Sequence, residues 1–290
     1  MCNRYIYIHF LLIFGFAFQS LHVHGQYFFP NLFQYHYSRI NPSFSGMGES
    51  NTGTFAFLSE NYDYFNLDVN YLLQAINSGI GLHGSISSSY SVNDKLGLRY
   101  AYRYSINDEI QVGIGTDLQL IRVKFPSALE AVYYSNPPED YKSSYLAGID
   151  LGIWLRINKL NFGFSSKNCN NPSHTFYLDS VKLRYEIPRY YTVVLNYNFQ
   201  LGPEILFRNS AIAYFNNPLF LLMLQNEFVI NQRLIFGLST SKSGAYYSIV
   251  PNLGFTLFED FDILFALRVF TTERVQDGSM SMEALVNYRF

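Results

Sequence analysis

From about residue 52 to the last position, apolar and polar residues alternate with period two, and no stretch in between carries the periodicity of an amphipathic helix. In 95–106, Leu96, Leu98, Tyr100, Tyr102, Tyr104 and Ile106 share one face, while Lys95, Gly97, Arg99, Ala101, Arg103 and Ser105 share the other. In 145–157, Tyr145, Ala147, Ile149, Leu151, Ile153, Leu155 and Ile157 oppose Gly148, Asp150, Gly152 and Arg156. The alternation predicts strands at 52–59, 62–72, 78–88, 95–106, 110–124, 143–157, 160–168, 188–200, 203–216, 219–230, 233–241, 245–257, 261–271 and 279–290. That makes about fourteen, or about twelve without the first two, which alternate least clearly. Many of the runs reach the roughly 9–11 residues a tilted strand needs to cross a bilayer.

The connections sort by parity. Those after even-numbered strands are mostly tight and rich in turn residues: Asn107-Asp108, Asn158-Lys159, Leu201-Gly202, Asn231-Gln232 and Glu259-Asp260. The long ones, near 125–142, 169–187 and 272–278, follow odd-numbered strands. Bacterial membrane barrels have short periplasmic turns and longer extracellular loops, and a soluble sandwich has no reason to sort its loops this way. The expectation is an all-β chain, a transmembrane antiparallel β-barrel whose ends both face the periplasm.

Composition agrees with this. The chain is 18% aromatic and 14% charged, where soluble domains carry roughly 25% charged residues. Its 25 Tyr and 27 Phe are spread along the sequence, as expected of strands that present aromatics to lipid and to both interfaces. A formal net charge of −2 gives no reason to expect a nucleic-acid partner. Arg4, the apolar run 10–18 and the small residues Val23 and Gly25 read as a secretory signal peptide over 1–25, cut ahead of Gln26. The mature chain then keeps one cysteine, Cys169, and its longest apolar run, as at 219–224, is too short for a spanning helix. The final Tyr288 and Phe290 read as an outward-facing terminal strand of the kind that serves as a barrel assembly signal.

Little of the sequence points to catalysis. Gly79, Gly81 and Gly84 match G-x-G-x-x-G, but they lie within an alternating strand with no helix after them to bind a pyrophosphate. They read better as relief of crowding on a barrel wall or as a bend. His36, His83 and His174 have no metal-ligand spacing, so neither a metal nor a cofactor is expected. Arg99, Arg103, Asp117, Asp150, Arg156, Arg208, Asp262 and Arg268 fall on the inward face, where opposite charges are expected to pair with one another and with water.

Residues 26–51 precede the strands and are dense in aromatics without clean periodicity, which suggests an arm or plug packed on the barrel. Within it, Phe33-Gln34-Tyr35 and Ile40-Asn41-Pro42-Ser43-Phe44-Ser45-Gly46 resemble the N-terminal signature of the PorP/SprF family. That family has Gln-Tyr followed by Asn-Pro-Ala-Tyr-Ala-Gly, and here Ser43 and Phe44 replace Ala and Tyr. A Gly-rich strand at 79–84, Tyr100–Arg103, Gly113–Gly115 and Tyr288–Phe290 follow in a similar layout over the whole mature chain.

The resemblance implies an outer-membrane accessory component of the type IX secretion system, a non-enzyme that binds or anchors secreted surface proteins such as gliding adhesins. Other implied partners are secretion components, a periplasmic peptidoglycan-binding protein and the outer-membrane lipid. Gln34, Tyr35, Asn41, Pro42, Phe44 and Gly46 are the candidate site residues, either contacting a partner or shaping a turn that plugs the barrel. Two other classes stay open: a transporter of hydrophobic small molecules, favoured by an apolar pocket beside the plug, and a membrane hydrolase, favoured by inward Ser and His within hydrogen-bond reach.

Overall fold

The computed structural model describes residues 30–59, 63–88, 94–124, 143–178, 181–216, 219–243, 246–271 and 280–290. The first strands are β1 (Thr52–Ser59), β2 (Asp63–Leu73), β3 (Ser78–Ser87), β4 (Asp94–Ser105), β5 (Ile110–Lys124), β6 (Ser143–Ile157) and β7 (Leu160–Lys167). After a short hairpin of β8 (Ser173–Leu178) and β9 (Val181–Glu186) come β10 (Tyr190–Gln200), β11 (Ile205–Asn216), β12 (Leu219–Ile230) and β13 (Leu234–Ser243). The series ends with β14 (Tyr246–Leu257), β15 (Phe261–Thr271) and β16 (Met280–Arg289). All but β8 and β9 form one closed antiparallel barrel of fourteen strands. Each strand pairs with its neighbour in sequence, β7 pairs with β10, and β16 closes on β1 with Thr52 opposite Arg289.

The period-two pattern accounts for the wall. Leu96, Leu98, Tyr100 and Tyr102 of β4 stand exposed on the outer face, as do Ile149, Leu151 and Ile153 of β6, whereas Arg99 and Ala101 between them are buried inside. The outer surface is therefore a continuous belt of large apolar side chains, far beyond the few hundred Å² that a water-soluble monomer exposes. Lipid is the solvent that makes such a belt favourable.

At one end the turns are tight. Asn77, Asn158, Asn231, Gln232, Phe258 and Glu259 all have left-handed φ there, the conformation that short hairpin turns require and that Asn tolerates best. In another of these turns the Asn107 side chain accepts from the backbone N–H groups of Glu109 and Ile110. The long connections expected at 125–142 and 272–278 lie outside the described residues, as does the leader expected at 1–25. The connection at 169–187 is not a plain loop, because it contains the β8–β9 hairpin with Ser173 opposite Glu186. Its six-residue strands are too short to cross a bilayer, so the pattern that marks spanning strands does not reveal them.

The core lies inside the barrel. Phe33–His36 and Tyr37–Ile40 form consecutive short helical turns, and Pro42–Gly46 forms another. Phe33, Tyr37, Ile40 and Met47 pack against inward Trp154, Val194, Ile212, Tyr214 and Met223. Leu32 fills a second cluster with Val229, Ile235, Val250, Leu264 and Leu285 from the opposite wall. Residues 30–51 are thus a plug inside the lumen.

Candidate functional site

The Asn-Pro turn of the plug rests in a seat built for it. Asn41 is fully buried. Its Oδ1 accepts from the Ser43 backbone N–H at 3.1 Å and the Ser43 hydroxyl at 2.6 Å, capping the Pro42–Gly46 turn. Its Nδ2 donates to the carbonyls of Ile153 (2.9 Å) on β6 and Phe164 (3.0 Å) on β7. All four hydrogen-bonding positions of the amide are therefore used. Pro42 follows at the first helical position, where its missing N–H has no partner to lose.

The strands meet this turn with glycine. A Cβ at Gly115 would sit 2.5 Å from Ser43 Cα and N, and one at Gly113 would sit 2.8 Å from Met47 Cγ. At Gly79 a side chain would overlap the Ser45 carbonyl, and at Gly152 it would overlap the Asn41 amide. What crowds the wall at Gly79 is the plug, whereas a Cβ at Gly81 would first meet the neighbouring strands at Asn70 Oδ1 (2.8 Å) and Arg99 Nε (3.0 Å), with Ser45 Oγ of the plug at 3.2 Å. Gly84 has nothing closer than 3.9 Å. Ser43 contributes a hydroxyl bond that alanine could not make. Phe44 meets Trp154 edge-on at 4.9 Å and Tyr37 at 5.3 Å, an aromatic trio joining plug and wall.

Further latches surround the plug. Gln34 donates its backbone N–H to Gln225 Oε1 and its side-chain amide to the Gln225 carbonyl, and Tyr37 shares a 2.5 Å bond with Ser210. The Tyr35 hydroxyl donates to Glu227 and accepts from Arg208 at 3.2 Å. Burial, reinforced at Tyr35 by the Glu227 charge, pushes both phenols above the ordinary tyrosine range, so both stay neutral. His36 and the backbone N–H groups of Asn31 and Leu32 converge on Glu283. Four of the eight inward charges expected from sequence sit in these close pairs: Arg99 with Asp68 at 2.6 Å, Asp150 with Lys167 at 2.6 Å, Asp117 with His83 at 2.9 Å, and Asp262 with Arg289 at 2.6 Å.

Beside the plug, at the short-turn end, lies a cavity of about 460 Å³. The sequence-predicted residues divide around it. Gln34, Tyr35 and Phe44 line the cavity, whereas Asn41, Pro42 and Gly46 lie buried in the seat. The wall facing them, with Arg156, Asn161, Asn196 and Arg208, was not singled out as a binding surface from sequence. The inward parity of these four polar positions is the signal that could have found it. Tyr288 and Phe290 stand exposed on the outer face, their rings stacked at 5.6 Å. Phe290 closes the seam by donating its N–H to the Asn51 carbonyl.

At the far mouth Ser144 Oγ and His174 Nδ1 are 3.0 Å apart. A hydrolase triad uses Nε2 toward serine and holds Nδ1 with a carboxylate, whereas here the serine occupies Nδ1. No cluster of three metal-ligating side chains occurs among the described residues.

A closed barrel with an apolar belt, tight turns at one end and an internal plug defines an outer-membrane β-barrel protein. Solved structures share the fold. Omp33 of Acinetobacter baumannii superposes with a TM-score of 0.52 at 8% identity, over 83% of this chain and 97% of that one. The toluene transporter TbuX of Ralstonia pickettii gives 0.53 at 13% identity, over 86% and 92%. A FadL homologue of Pseudomonas aeruginosa gives 0.53 at 8% identity, over 86% and 93%. No curated protein matches the sequence. The family described as type IX secretion system membrane protein PorP/SprF matches residues 17–288, and the chain belongs to that family.

Proposed function

We propose that the protein is an accessory component of the type IX secretion system that binds or anchors a secreted surface protein, such as a gliding adhesin, and a periplasmic partner, instead of conducting cargo through its own lumen. The observation that carries this reading is the filled lumen in a chain of this family. The plug is bonded to β2, β6, β7, β11, β12 and β16, so a passage wide enough for a polypeptide would require its removal. A periplasmic protein that binds peptidoglycan is a fitting partner for the short-turn end, and the surface protein for the long-loop end.

Transport of hydrophobic small molecules is the competing use of a plugged barrel. The cavity here mixes amides and charged side chains with Phe44, Trp154, Phe199, Leu206 and two tyrosines in about equal measure, a lining that suits a peptide with both polar and apolar groups better than a wholly apolar solute. Affinity purification of the tagged protein from gently solubilised outer membranes tests the choice. Recovery of type IX components or a large surface protein is the expected result. Recovery of the barrel alone with bound lipid or fatty acid would replace this reading with transport. Deleting residues 27–48 is expected to leave an assembled barrel that no longer brings down its partner, and unchanged recovery would remove the arm from docking.

A further inference from the structure

The cavity at the short-turn end carries more cations than carboxylates on its lining. Its lining carries three cations, Arg156, Lys159 and Arg208, against one carboxylate, Glu49. Arg156 stands on β6 and Arg208 on β11, separated along the wall by β7 and β10. Three interstrand steps of about 4.8 Å place their backbones roughly 14 Å apart along the wall. The inward amides of Asn161 and Asn196 lie between them and bond to each other at 3.2 Å.

Each arginine faces one carboxylate, Arg156 that of Glu49 and Arg208 that of the buried Glu227, at 3.6 and 3.9 Å, beyond a direct hydrogen bond. Arg156 donates Nε to Asn161 and Nη2 to the Met47 carbonyl, while its Nη1 lies 3.6 Å from Glu49, whose side chain is 90% exposed. A carboxylate so exposed and without a direct hydrogen bond is weakly held, so Glu49 is a displaceable occupant of the position. Arg208 offers Nη1 to the Tyr35 hydroxyl and lies 3.9 Å from Glu227, beyond hydrogen-bond reach.

We infer that this cavity receives an extended acidic peptide segment of a periplasmic protein, with two carboxylates on Arg156 and Arg208 and an apolar side chain between them against Phe44 and Phe199. An extended chain rises about 3.4 Å per residue, so carboxylates four residues apart on one face match the arginine spacing. The amides between supply donors and acceptors for the peptide backbone. The inference rests on the docking function proposed above and names the chemistry of the periplasmic partner.

The test is fluorescence anisotropy of the full chain in detergent with a labelled Glu-Ser-Phe-Ser-Glu peptide and its Gln-Ser-Phe-Ser-Gln counterpart. Charge-assisted hydrogen bonds predict a preference of about tenfold or more for the acidic peptide, weakening as salt is raised. Arg156→Gln combined with Arg208→Gln is expected to abolish that preference, with folding checked by heat-modifiable mobility. Glu49→Gln, which touches no strand pairing, is expected to tighten binding by removing the internal competitor. Equal affinity for the two peptides, no binding of either, or a Glu49→Gln variant that binds no better would each overturn the inference. The assay uses purified protein alone, so its failure leaves the co-purification result standing, and failure of co-purification leaves the peptide measurement intact.

Discussion

Asn41 offers the sharpest test of how the plug is held. Replacing it with alanine removes two accepted and two donated hydrogen bonds at a fully buried position. Two of the four bonds join the plug to the wall, so at about 1 kcal/mol net per bond the plug loses roughly 2 kcal/mol of docking free energy, while the two from Ser43 hold the turn itself. At about 1.4 kcal/mol per tenfold, the undocked fraction rises by about thirtyfold. The readout is maleimide labelling of Met47→Cys in a Cys169→Ser background, because Met47 is fully buried against the seat. If labelling follows transient opening, its rate scales with the open population and should rise by roughly one to two orders of magnitude in the Asn41→Ala protein. Asn41→Asp should also release the plug, since it keeps the cap but turns oxygen toward two strand carbonyls. A labelling rate within about threefold of the parent would refute the idea that this amide latches the plug.

Further predictions concern the seat and the lumen wall. Gly115→Val places a branched side chain where Ser43 stands, so the barrel should fold with its plug displaced. Trp154, the single tryptophan, packs on Phe44 and Tyr37, and its emission should then shift to the red, whereas an unshifted spectrum would show the plug still seated. Asp68→Asn leaves the buried Arg99 guanidinium without its ion-pair partner and should cost about 3–5 kcal/mol, seen as a lower temperature for loss of the folded barrel's gel mobility. Exposed Arg184→Gln in the β8–β9 hairpin is expected to leave that temperature unchanged.

The wall was legible in the sequence because one face of each strand meets lipid and the other meets a polar lumen, which is the condition that produces strict alternation. Loop parity was legible for a related reason: tight turns need residues such as Asn158 and Asn231 that tolerate left-handed φ. The β8–β9 hairpin escaped because its strands need not span the bilayer. Gly79 was read as relief of crowding or as a bend, and the group that crowds it is the Ser45 carbonyl, 34 positions earlier in the chain, a contact no local pattern encodes. The Asn-Pro turn was visible as a motif, whereas the division of its neighbourhood into a buried seat at Asn41 and a lined cavity at Phe44 depends on which strands surround it.

The proposed role requires that the N-terminal arm seal the barrel, so that docking at its ends, and not conduction through the lumen, does the work. Conductance of the purified protein in planar lipid bilayers tests this most directly, with the intact chain compared against one lacking residues 27–48. The account predicts a silent intact protein and stable open channels on deletion. Steady ion flow through the intact chain, unchanged by the deletion, would contradict it.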